Sequence, residues 1–241
     1  MSNPTAAILI IGDEILSGRT RDANAHHLAG ELARVGIDLR EIRIVADDQD
    51  AIVAALDALR VRYDQVFTSG GIGPTHDDIT ADAVAAAFGV PIGIREDARA
   101  ILLDTYARRG IVPNEAQLRM ARIPEGARLI ENIVSGAPGF SMANVHVMAG
   151  VPAIFREMVA ALLPGLPHGL PRLVREVRFD VPEGLIAAPL TALAAEYPDV
   201  QLGSYPFAAE GVRGTNIVAK GYDAARLDEV LARLEAEVPR G

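Results

Sequence analysis

Apolar residues run unbroken from Ala6 to Ile11, the pattern of a strand covered on both faces. Gly12, Asp13 and Glu14 end that run. Asp22 is set to cap a helix over about 23–35, which Gly36 stops in the left-handed conformation. Leu39 to Val45, alternating at Ile42 and Ile44, reads as a second strand. Asp48 or Asp50 opens a helix to about Arg60, Gln65 to Thr68 is a third strand, and a helix follows over about Thr80 to Phe88. Strands that alternate with helices in this way predict a parallel sheet with right-handed crossovers.

The pattern is less regular afterwards. Helices are expected over Glu96–Arg109 and, capped by Asn114, over Glu115–Ala121. Arg128–Ile130 and Val145–Met148 are candidate strands, and Pro152 suits the first turn of a helix to about Leu162. Pro164 to Pro171 holds three prolines and two glycines in eight residues and reads as a linker. Beyond it, Val174–Val181, Gln201–Tyr205 and Asn216–Ala219 read as strands, with helices at Leu190–Tyr197 and, capped by Asp223, at about Ala224–Glu237. The expected organisation is an α/β domain over 1–165 and a small α+β domain over 172–241.

The chemistry is concentrated where strand three gives way to a helix. The turn from Ser69 to Thr80 carries Gly70, Gly71 and Gly73, so it exposes backbone N–H groups close to a helix N-terminus. That arrangement favours phosphate. The same turn holds Asp77 and Asp78, which repel a bare phosphate and are better explained by a divalent cation between them and it. In an open parallel sheet, ligands bind beyond the carboxyl ends of the strands. Asp13 leaves strand one at that edge and Gly150 leaves a later strand there, so Asp13, Asp77 and Asp78 are expected to converge if strands one and three are neighbours. Each residue has a plainer alternative: Asp78 as a helix cap, Asp13 and Glu14 as solvated turn residues, Asn24 as a structural residue in a first helical turn. The loop does not follow the first strand, as a Rossmann fingerprint requires, and it has no Lys for a Walker loop. His76, beside the carboxylates, is a candidate phosphate donor, while His26 and His27 read as surface residues. Asn114, Arg119 and the loop Ser135–Gly139 form another candidate wall. No Ser–His–acid arrangement is recognisable around Ser69 or Ser135.

The composition narrows these readings. The chain has 241 residues, is half apolar and has a formal charge of −9 with scattered basic residues, so nonspecific nucleic-acid binding is not expected. The absence of Cys excludes disulfides, thiolate metal sites and thiol catalysis. No apolar run approaches the ~20 residues of a membrane span. The N-terminus lacks the pattern of a signal peptide, so a cytoplasmic protein with no membrane partner is expected.

Three segments, Ile11-Gly-Asp-Glu-Ile-Leu-Ser-Gly18, Arg21-Asp-Ala-Asn24 and Ser69-Gly-Gly-Ile-Gly-Pro-Thr-His-Asp-Asp-Ile-Thr80, resemble the MoaB/Mog-type molybdopterin-binding fold. Within it they are most similar to the branch shared by the competence/damage-inducible protein A (CinA) family and the N-terminal region of eukaryotic FAD synthase. Met148-Ala-Gly-Val-Pro152 matches a Pro-Gly-x-Pro turn of that branch except at Ala149, and Leu202-Gly-Ser-Tyr-Pro206 resembles a segment that follows the domain in FAD synthase. The resemblance implies a three-layer, mostly parallel α/β domain. It implies ligand contacts from Gly12, Asn24, Ser69, Gly70, Gly71, Gly73, Thr75, His76 and Gly150, and catalytic roles for Asp13, Asp77 and Asp78, with Asp13 and Asp78 on the metal. The implied cofactor is Mg, Mn or Co, with allowance for a monovalent cation; molybdopterin is a candidate ligand. The implied activity is hydrolysis of a dinucleotide pyrophosphate such as ADP-ribose or FAD, by a homo-oligomer, dimer or trimer. A non-catalytic nucleotide- or molybdopterin-binding module and a molybdopterin adenylyltransferase are the rival readings. The stretch carries neither the synthase half of FAD synthase nor an amidase domain, so FAD synthesis is not expected of it.

Overall fold

The chain divides into two compact units, Met1–Gly169 and Leu170–Gly241. A computed structural model describes residues 3–209 and 212–238.

In the first unit, β1 (Thr5–Ile11), α1 (Asp13–Leu16), α2 (Asn24–Arg34), β2 (Asp38–Val45), α3 (Gln49–Arg60), β3 (Gln65–Ser69) and α4 (Thr80–Phe88) follow in order. They are followed by β4 (Ile92–Ile94), α5 (Glu96–Arg108), α6 (Glu115–Leu118), β5 (Arg122–Pro124), β6 (Arg128–Ile130), β7 (Gly139–Met142), β8 (Val145–Met148) and α7 (Pro152–Leu162). Six strands form one sheet in the order β2-β1-β3-β8-β7-β6. β2, β1, β3 and β8 are parallel, whereas β7 runs antiparallel to both its neighbours, β8 and β6. The sheet is therefore mixed and mostly parallel, with β1 between β2 and β3 as the convergence of loops requires.

The unbroken apolar run of β1 has the reason expected. Ala7, Leu9 and Ile11 pack into a core with α3, α4 and α5, while Ala6, Ile8 and Ile10 pack on the other face with α2 and α7. These two cores are the inner surfaces of a three-layer domain. Asp22 accepts the N–H groups of Asn24 and Ala25 at the start of α2, and Asp48 accepts that of Ala51 at the start of α3. Asn114 and Gln117 form a reciprocal capping box, but α6 tightens into a 3₁₀ turn at Arg119–Ala121. The short helix α1 and strands β4, β5 and β7 escaped the sequence reading. β4, β5 and β7 have three or four residues each, too few to show a period.

The second unit contains β9 (Leu173–Phe179), α8 (Glu183–Glu196), β10 (Gln201–Ala209), β11 (Val212–Gly221) and α9 (Ala224–Glu237). Its antiparallel sheet has the order β10-β11-β9. Helix α8 begins seven residues before its expected start and passes through Pro189. Ile186 and Leu193, both buried, lie on one face and hold it in the core. The Pro189 ring leaves the Leu185 carbonyl without its helical donor. Leu185 is itself 65 % exposed, on the solvent side of the helix. No described helix is long and apolar enough to cross a membrane.

Candidate functional site

A cavity of 490 Å³ opens at the carboxyl edge of the first sheet. Gly12 after β1, Gly70 to Pro74 with Asp77 and Asp78 after β3, and Gly150 after β8 all line it. It is built by the loops that leave three adjacent strands in the same direction.

The Gly-rich loop is shaped by contacts that exclude side chains. Gly70 has φ 110°, and a Cβ there would stand 2.2 Å from the Ile11 carbonyl oxygen. Gly71 has φ 69°, and its Cβ would stand 2.1 Å from the Thr80 hydroxyl. Thr80, fully buried, holds the turn by donating its hydroxyl to the Gly70 carbonyl at 3.0 Å and its N–H to that of Gly71 at 2.9 Å. The Gly70 N–H is committed to the Met148 carbonyl at 3.1 Å. Among the described residues, the N–H groups of Gly71, Ile72 and Gly73 make no hydrogen bond within the chain. Three successive unbonded donors before the N-terminus of α4 form an anion-binding concavity.

Asp78 does not cap α4. Its carboxylate accepts the N–H of Thr75 at 2.8 Å and the Thr75 hydroxyl, which closes the loop on itself. The cap position falls to Ile79, which offers no side-chain bond. Asp77 is held below the ordinary carboxylate range, first by the Thr75 hydroxyl and then by its own N–H. Thr75 itself does not line the cavity. His76 is 97 % exposed at its side chain and lies outside the cavity lining.

Asn24 is buried and joins the loops. Its amide donates to the Ser69 hydroxyl and to the Gly150 carbonyl, both at 2.8 Å, while its Oδ1 has no partner. Asn24, Ser69 and Gly150 line an adjoining cavity of 70 Å³, distinct from the larger one except at the Gly150 wall and neighbouring residues. Gly150 meets Gly70 so closely that a Cβ would stand 3.2 Å from its Cα.

Asp13 sits at the same sheet edge but is not among the residues lining the larger cavity. Its N–H donates to Asp47 at 2.9 Å. Asp47, just beyond β2, does line the cavity, as does Glu14. Burial raises the Asp47 carboxyl above its ordinary value; the Asp13 N–H opposes this, and the charges of Asp13, Glu14 and Asp77 add to the rise. The sequence reading missed Asp47, although it follows an apolar strand by the same logic that singled out Asp13. Tyr106, Arg109, Asn132, Ser135 and Ala137 form the facing wall, partly the loop expected to border a ligand.

By type, oxygen donors of this kind are those a hard cation takes. Asp13, Glu14, Asp47 and Asp77 crowd negative charge together, and none has an Arg or Lys partner among the described residues. No three described His, Asp or Glu side chains are gathered into a ready metal-binding set. This donor set suits an ion such as Mg²⁺, which keeps several waters and completes its shell with ligand phosphate.

Residues 7–168 match the family described as "Probable molybdopterin binding domain", and residues 171–241 match "FAD synthase, middle domain". A CinA-like protein of Myxococcus xanthus is 31 % identical over 245 residues, covering 95 % of this chain and 57 % of its own length. A protein of Metallosphaera sedula is 37 % identical over 170 residues, covering 70 % of this chain and 64 % of its own. The chain thus spans less than two thirds of either relative. The crystal structure of CinA, a protein of unknown function from Thermoplasma acidophilum, is 34 % identical, with a TM-score of 0.62 over 67 % of this chain and 97 % of that one. The Gly-rich loop, the mixed sheet that carries it and these likenesses together establish that the chain belongs to the molybdopterin-binding-domain family and is similar to its CinA-like members.

Proposed function

We propose that the protein binds a phosphorylated nucleotide or pterin at the Gly71–Gly73 loop and hydrolyses the anhydride of a dinucleotide pyrophosphate, ADP-ribose or FAD. The observation that carries this reading is one cavity in which unbonded N–H groups face unpaired carboxylates. Donors of the first kind hold phosphate oxygens. The lining carboxylates Asp47, Asp77 and Asp78, with Asp13 beside Asp47 though outside the lining, would hold a divalent cation, which neutralises charge at the phosphoryl group. The chain's own amides orient the anhydride, and Asn24 keeps the loops after β3 and β8 in register. Water adds at phosphorus, the bridging P–O bond breaks, and two monophosphates leave with the proton balance taken up by solvent. No side-chain nucleophile is required.

Asp78→Asn tests the reading. The amide oxygen still accepts from Thr75, so the fold is retained, while AMP release from ADP-ribose in Mg²⁺, Mn²⁺ or Co²⁺ falls by about 100-fold or more. Wild-type rates in this variant reject the role. The non-catalytic module has one observation in its favour, the lack of a gathered metal-binding set among the described residues. Tight ADP-ribose binding with no product under any of these metals establishes that alternative, and AMP transfer from ATP to molybdopterin establishes the adenylyltransferase.

A further inference from the structure

A second cavity, of 630 Å³, lies between α5 and the segment that runs from β6 to β7. Ile101, Leu129 and Ile130 give it an apolar wall, and Asp104 and Glu131 give it acceptors. Arg109 and Asn132 line both this cavity and the one at the Gly-rich loop, so the two share a wall.

That wall is firmly built. The Asn132 side chain is saturated: its amide donates to the Ser135 hydroxyl at 2.6 Å and the Ala137 carbonyl at 2.7 Å, and its oxygen accepts from the N–H groups of Val134 and Ser135. Gly136, at φ 80°, lies so close to α5 that a Cβ would stand 2.3 Å from the Thr105 hydroxyl. Arg109 donates to the Val134 carbonyl, and among the described residues no carboxylate pairs with it. Its neighbour Arg108, by contrast, is paired with Asp104. Arg109, exposed and shared by both cavities, is a guanidinium placed to meet an anion on a ligand that spans them.

Each cavity falls within the range of roughly 300–1,000 Å³ typical of small-molecule sites. We propose that the second cavity takes the distal nucleoside or ribosyl half of a two-headed ligand, with Arg109 facing the anionic bridge between the halves. This rests on the functional reading above and deepens it by placing the two halves of the ligand: the phosphate at the Gly-rich loop and the distal half against α5. The apolar wall suits a ring face, and Asp104 and Glu131 suit ribose hydroxyls or an amino group.

The test is calorimetric binding of AMP and of ADP-ribose, the latter as its non-hydrolysable α,β-methylene analogue, to the full chain in Mg²⁺, which keeps both the ligand and the cation in place. Wild-type protein binds ADP-ribose at least about tenfold more tightly than AMP. Ile101 is 43 % exposed, so Ile101→Glu folds while spoiling the apolar wall. It brings the two affinities to within about twofold without changing that for AMP. Arg109→Gln weakens ADP-ribose more than AMP. An unchanged affinity ratio in both variants, with AMP still bound, overturns the second subsite alone. So does Ile101→Glu separating an oligomer with no effect on the ratio, which makes the cavity a contact between copies. Failure of wild-type protein to bind either nucleotide overturns the subsite together with the functional reading.

Discussion

Charge is handled in opposite ways in the two units. In the second unit Arg175 pairs with Asp228, Arg178 with Asp180, Arg226 with Asp199 and Arg233 with Glu196. Arg226 and Arg233 also lie over the Tyr197 ring, at 4.5 and 5.4 Å from its centroid. These acids have found their counter-ions within the fold. At the carboxyl edge of the first sheet, Asp13, Glu14, Asp47 and Asp77 have no Arg or Lys partner among the described residues, and burial, with the neighbouring charges adding to it, raises Asp47. Elsewhere in the same unit pairing is routine, as between Asp82 and Arg122 at 2.6 Å. That acidic rim is the feature on which the proposed cation rests.

The sharpest way to break this contrast is at Gly71. Gly71→Val puts a β-branched side chain at positive φ against Thr80, and we expect nucleotide affinity to fall by more than about 100-fold, as the loop amides turn away. Retained affinity would mean that the loop is not the ligand cradle.

The next effect concerns a polar group that is satisfied inside the sheet. His146 is buried, bonded to Ser141 at 2.8 Å and Gln65 at 2.7 Å, and burial, aided by Arg128, lowers it to about 4 from 6.5. Its neutral form is favoured in the fold, so its contribution is complete above pH 6.5 and is lost as pH falls from there towards 4. The loss approaches roughly 3 kcal/mol at the acid end. Urea titrations of wild type and His146→Gln between pH 4 and 7 should show a shallower acid slope in the variant; equal slopes would remove His146 as the cause.

A smaller change follows Asp47→Asn. The amide still accepts from Asp13 but carries no charge, so metal-free protein should melt at a higher temperature while apparent Mn²⁺ affinity falls by about tenfold. A lower melting temperature would show that Asp47 is structural. Least of all, Asp228→Asn in the second unit should cost less than about 1 kcal/mol and leave nucleotide binding unchanged, because its partner pair is exposed.

The sequence alone carried the regular elements. β1, α2 and α3 were legible because a buried strand needs an unbroken apolar run and a helix needs its caps, and both are local conditions met by neighbouring residues such as Asp22 and Asp48. The Gly-rich turn was legible for the same reason: only glycines accept the backbone angles of Gly70 and Gly71. What the sequence did not determine is which groups remain available for a ligand. The commitment of the Gly70 N–H to Met148, the arrival of Asp47 beside Asp13 and the tie from Asn24 to Ser69 and Gly150 all depend on contacts between separate segments, and the turn of Asp78 onto Thr75 depends on the path the loop takes between them. Short pieces such as β7 and the run of α8 through Pro189 were likewise decided by packing, since burial of Phe140, Ile186 and Leu193 outweighs weak local preference. Local sequence set the kinds of loop that leave this sheet. The order of strands set which loops meet, and hydrogen bonding across that meeting set which donors and charges stay open.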